Sequence, residues 1–166
     1  MVSSTDTKKE EIVYNAPKKK DSVVSSGAPM KTIDVTPDED KKGTKKIIAE
    51  YARRKNIYNK DLFIESDSVK ATFYDNGDID GDSISVFLNN KLVLSHQGLS
   101  AKAINVFMQL DSTKDVNEIS MFAENLGTIP PNTALMIISD GKNRYEVYMS
   151  SSLTQSSTVR LRRKKK

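Results

Sequence analysis

Between residues 61 and 162, apolar and polar residues trade places at every second position. Turn-forming residues interrupt these runs at spacings of about 8 to 14 residues. A period of two sends successive side chains to opposite faces, so each run predicts a short strand with one face toward a core. Leu62 and Ile64 alternate with Phe63 and Glu65, Val69, Ala71 and Phe73 with Lys70, Thr72 and Tyr74, and Ile84, Val86 and Leu88 with Ser83, Ser85 and Phe87. Asn89-Asn90 then fits a two-residue hairpin turn, because Asn tolerates positive φ, and 91–95 is the returning strand. Further strands are predicted at 103–110, 118–123, 134–139, 145–149 and 158–162. No helical interlude between them is long enough for a parallel crossover. The expected fold is all-β: an antiparallel β-sandwich, Ig-like or jelly-roll-like, of about eight or nine strands.

The first 43 residues follow other rules. They hold two lysine clusters, prolines at 17, 29 and 37 and few large apolar side chains, a composition that cannot offset ordering entropy by burial. They predict a disordered leader. Residues 44–59 predict a linker or short amphipathic helix, capped by Thr44, with Ile47, Ile48, Tyr51 and Ala52 on one face and Arg53 and Arg54 at its C-terminal end. A helix of about twelve residues is marginal alone, so its apolar face must dock. The sandwich domain is assigned to 60–162 and a basic tail to 163–166.

Composition removes several chemistries. The chain has no cysteine, which excludes disulfides, thiolate zinc sites and a thiol nucleophile. Its longest apolar run, 134–138, is far short of the roughly 18 residues that span a bilayer, and Met1-Val2-Ser3-Ser4 opens no signal-like apolar region. His96 is the only histidine, in Ser95-His96-Gln97-Gly98, and no Gly-x-Ser-x-Gly elbow accompanies it. It reads as a surface-loop histidine. One histidine without cysteine is also a poor basis for a zinc enzyme.

The net charge of +4 conceals an asymmetry. Residues 61–159 carry 6 basic and 13 acidic side chains, whereas 160–166 carry 6 basic and none acidic. Nucleic-acid binders carry positive charge on the folded domain, so an acidic domain with basic flanks argues against that partner. The basic C-terminus instead suits peripheral contact with an anionic surface, or solubility.

Two stretches carry candidate sites. Asp75, Asp78, Asp80 and Asp82 place four carboxylates within eight residues, and Gly77 and Gly81 permit turns through which several oxygens can converge on a hard cation such as Ca²⁺. The stretch begins like an EF-hand loop, but Phe87 stands where the bidentate Glu belongs. The competing reading is a turn in which Asp side chains bond local amides. The second stretch, 124–133, is a long connection with Pro130 and Pro131. It reads as a cross-connection of the sandwich or as a binding edge using Glu124, Asn125 and Asn132.

Residues 74–91, from Tyr74-Asp75-Asn76-Gly77 to Asn89-Asn90-Lys91, and residues 122–134, including Ala123-Glu124-Asn125-Leu126-Gly127 and Pro130-Pro131-Asn132-Thr133, resemble a C-terminal domain common in cell-envelope and secreted proteins of Bacteroidota. The resemblance spans roughly 53–162. It implies an exported β-sandwich module, placed in the periplasm or at the cell surface, with no catalytic residues to carry over. The expected function is therefore non-catalytic: binding, scaffolding or assembly in a bacterial envelope, with an envelope protein or glycan as partner and Ca²⁺ as candidate stabilising ion. The alternatives are a hydrolase pairing Glu124 with an Asp, and a nucleic-acid binder using the basic termini.

Overall fold

The computed structural model describes residues 39–165. The leader expected over residues 1–43 lies outside the described residues up to 38. Residues 39–43 are already helical, so the helix starts earlier than Thr44. In order along the chain come α1 (Glu39–Arg53), β1 (Lys55–Ile64), β2 (Ser68–Asp75), β3 (Ser83–Leu88), β4 (Lys91–Gly98), β5 (Ile104–Gln109), β6 (Val116–Ala123), β7 (Asn132–Ser139), β8 (Arg144–Ser151) and β9 (Gln155–Arg163).

The nine strands form two sheets, ordered β1-β9-β6-β3-β4 and β5-β2-β7-β8, stacked as a sandwich. Six of the seven pairings are antiparallel. The exception is β1, which lies parallel to β9 with a bulge between Tyr58 and Lys60. The whole sandwich separates these two strands in sequence, so the chain between them serves as the crossover and no helix is needed. Residues 55–59, assigned above to the linker, are thus the first half of β1, and Arg163, assigned to the tail, is the last residue of β9.

Alternation places the core as expected. Leu62, Ile64, Val69, Ala71, Phe73, Ile84 and Val86 are buried between the sheets with Ile119, Met121, Met136, Ile138, Val159 and Leu161. Asn89 and Asn90 take φ of 49° and 66°, both positive, and Leu88 pairs with Lys91 across the turn. His96 also has positive φ, 54°, and sits within β4, where the register shifts; it is a strand residue and not a loop residue.

The five-stranded sheet is covered on its outer face as well. Ile47 and Tyr51, one helical turn apart, pack with Leu92 on Phe87 and Phe122, which point away from the main core. The Tyr51 ring stacks on Phe87 with centroids 3.8 Å apart and planes 8° from parallel, and Phe122 meets both rings edge-on. The Tyr51 hydroxyl donates to Ser120 Oγ at 3.0 Å or Asn90 Oδ1 at 3.1 Å. Arg54, just past the helix, lies 3.7 Å over the Phe122 ring and donates to the carbonyls of Ala123 (2.6 Å) and Ser152 (3.0 Å). The docked face is therefore Ile47, Tyr51 and Arg54, while Ile48 and Ala52, expected on that face, are exposed. A helix seated on a flat sheet buries a narrow stripe, and i+1 and i+5 fall outside it. Docking also explains the early start: Gly43 lies over β4, where an added Cβ would stand 3.7 Å from His96 Nε2.

Candidate functional site

The acidic loop between β2 and β3 and the 124–131 connection between β6 and β7 meet at one corner of the sandwich, which brings Asp75, Asp80 and Asp82 together with Asn125 and Asn132 but not with Glu124. Asp75 ends β2, and its Oδ1 accepts from Gly77 N at 2.8 Å, a local turn that aims the loop outward. Asp80 crosses to the other loop, where its Oδ2 accepts from Ile129 N at 2.6 Å. Gly127 (φ 55°) lies against that carboxyl so closely that a Cβ there would run into it. Asp82 is 4% exposed. Burial, and then the neighbouring Asp80 and Asp75 charges, push its carboxyl up to about 6 against a bond from the Thr133 amide. Asp78 is exposed.

Asn125 and Asn132 staple the connection to the start of β3. Asn125 Oδ1 accepts from Ser83 N at 2.9 Å and Gly127 N at 3.3 Å. Asn132 Nδ2 donates to the carbonyls of Ser83 and Asn125, each at 3.2 Å. Asn132 is 0% exposed, so it shapes the corner and offers no surface to a macromolecular partner. The peptide between Pro130 and Pro131 is cis. At the tips of the two loops stand Ile79 and Ile129, 64% and 56% exposed.

Glu124 faces the other way, onto the helix-bearing surface. Its Oε1 accepts from Ser85 Oγ and from His96 N (2.7 Å), and its Oε2 bonds His96 Nδ1 at 2.7 Å. Serine, carboxylate and histidine stand in one cluster, but the carboxylate occupies the middle. A nucleophilic serine needs the imidazole as its neighbour, with the acid behind it. The order found here is not that of a Ser-His-acid triad, and it holds a strand register and a bulge.

The basic C-terminal segment is largely matched by acids. Arg160 Nε and Arg162 Nε each bond Asp61 at 2.7 Å, Arg163 pairs with Asp67 at 2.6 Å, and Lys164 with Glu65 at 2.9 Å. Arg162 and Arg160 accordingly hold the Asp61 carboxyl below its ordinary range, and Lys164 and Lys142 do the same for Glu65. Upstream, Arg54 is equally committed to Phe122 and two carbonyls. No helix among the described residues is long and apolar enough to cross a membrane.

Sequence reading had no signal for the partner of Asp80, because Ile129 N lies 49 residues away and any residue supplies an amide. The Ser85–Glu124–His96 cluster was equally hidden, although a lone histidine near a strand bulge is a modest cue. What the geometry defines is a two-sheet sandwich with an acidic, doubly looped corner. No family model, curated protein or solved structure matches the chain.

Proposed function

We propose that this protein is a non-catalytic β-sandwich module that works by binding, in a scaffolding or assembly role in a bacterial cell envelope, with the looped corner as its contact end. The observation that supports this most is the joining of two distant loops by Asp80, Asn125 and Asn132 into a braced platform with Ile79 and Ile129 exposed on it. Exposed apolar tips on a rigid base suit an envelope protein as partner, since ordering entropy has already been spent on folding. The envelope location rests on the resemblance of residues 74–91 and 122–134 to exported modules.

The test is site-specific photo-crosslinking of the full chain in envelope extracts of a Bacteroidota bacterium. A crosslinker at position 79 or 129 is expected to give a discrete adduct, and one at Phe107, exposed on the other sheet, none. Adducts confined to position 107, or hydrolysis of envelope glycan lost in Glu124→Gln, would overturn the reading.

A further inference from the structure

Four side-chain oxygens at the looped corner are buried and have no hydrogen-bond partner: Asp75 Oδ2, Asp80 Oδ1, Asp82 Oδ1 and Asn132 Oδ1. Natural interiors leave few such atoms, and each one in a folded protein calls for an explanation. Local turn geometry does not supply it here. The turn bonds use the opposite oxygens, Asp75 Oδ1 toward Gly77 and Asp80 Oδ2 toward Ile129.

Asn132 is the independent observation. Two carbonyls, of Ser83 and Asn125, receive its Nδ2, which fixes the amide orientation, because a flipped amide would set oxygen against oxygen. Its Oδ1 is thereby held as an acceptor within a fully buried side chain, with no donor. Ser83, whose carbonyl receives the Asn132 amide, directly follows Asp82 in the chain, so the orphaned amide oxygen and the buried carboxylate belong to one locus. Buried acceptor oxygens of three acids and one amide, left without partners at one corner of the fold, suit a cation.

We propose that Asp75, Asp80, Asp82 and Asn132 form a Ca²⁺ site that clamps β2, β3 and β7 at the looped corner. The donors are all oxygens, three carboxylates and an amide, with no imidazole or thiolate, which selects a hard cation over zinc or copper. Ca²⁺ accepts six to eight oxygens at about 2.3–2.6 Å in irregular geometry, whereas Mg²⁺ demands a near-ideal octahedron and keeps its waters. Among the described residues, no group of three or more acidic, histidine or cysteine side chains is already gathered as a metal cluster. On binding, the ion would draw Asp75 and Asp80 in toward Asp82 and Asn132. Asp78, exposed on the same loop, is not a ligand. The inference is independent of what the module binds, since it concerns only the bracing of the corner.

The experiment is calorimetric titration of the chelator-treated full chain with Ca²⁺ and with Mg²⁺, together with thermal melts. One equivalent of Ca²⁺ is expected to bind saturably, at least about tenfold more tightly than Mg²⁺, and to raise Tm by about 8–10 °C at a hundredfold excess over Kd. Asp80→Asn and Asn132→Ala are each expected to weaken Ca²⁺ binding about tenfold or more. Asp78→Asn removes the same charge from the same loop and is expected to leave affinity within about twofold. Absence of saturable binding at millimolar Ca²⁺ would overturn the proposal, as would equal response to Mg²⁺. An Asp78→Asn loss as large as that of Asp80→Asn would reduce it to diffuse attraction by an acidic loop. Should Asn132→Ala fail to fold, the Asp80 and Asp78 pair still decides, because Asp78 is exposed and Asp80 only partly buried.

Discussion

Replacing Asp140 by Asn tests how the two sheets are tied together at the end of β7. Asp140 is buried in the β7–β8 turn. Its Oδ1 accepts from the amides of Asn143 (2.7 Å) and Lys142 (3.0 Å), and its Oδ2 accepts from Glu65 N (3.0 Å) and Asn143 Nδ2 (3.2 Å). The Glu65 bond reaches across to the end of β1 in the other sheet. Burial alone would raise this carboxyl, but the bonds from Asn143, Glu65 and Lys142 outweigh it and bring it down to about 2. Because the folded value lies below the unfolded one, the group adds stability above the unfolded range, and that stability is lost as pH falls through the folded value. At neutral pH the contribution is about 2 kcal/mol, and by pH 3 roughly half of it is gone. Asn mimics the protonated acid in shape but presents an amide to backbone donors. Urea unfolding of wild type and Asp140→Asn from pH 7 to pH 3 should therefore show a gap of about 2 kcal/mol that narrows steadily toward the acid end. A gap constant across that range would refute the reasoning, since the loss would then be steric and not electrostatic.

Two further outcomes follow from the packing. Tyr51→Ala should destabilise by about 3–5 kcal/mol, and Tyr51→Phe, which keeps the stack on Phe87 but leaves Ser120 and Asn90 without the hydroxyl, by about 1 kcal/mol. Denaturant melts followed by helical circular dichroism distinguish them, and equal losses would mean that the stack contributes nothing. Gly127→Ala and Gly81→Ala both place a side chain at positive φ, but only at 127 does the new Cβ meet the Asp80 carboxyl. The first should cost about 2–3 kcal/mol and the second about 1, compared by Tm, and parity would show that Asp80 yields freely.

Period two from residue 61 onward was enough to predict the sandwich, because strand patterning is local: Leu62 and Ile64 must face one way if Phe63 faces the other. The Asn89-Asn90 turn was legible for the same reason, since positive φ at two consecutive residues depends on those two residues alone. The acidic stretch and the two-proline connection could each be marked as candidate sites, one by charge density and the other by backbone restriction. Only the tertiary structure decided that they are one corner. The bonds that join them, Asp80 to Ile129 N and Asn132 to Ser83 O, use backbone groups that every residue possesses, so no side-chain pattern announces them. The same holds for the helix: Phe87 and Phe122 read as misplaced apolar residues on a solvent face until α1 covers them, and which stripe of α1 docks depends on a surface assembled from β3, β4 and β6. The parallel contact of β1 with β9 likewise required the chain to close before its first and last strands could meet. Local periodicity specifies elements, while long-range pairing is selected by the burial and hydrogen-bond satisfaction of the whole.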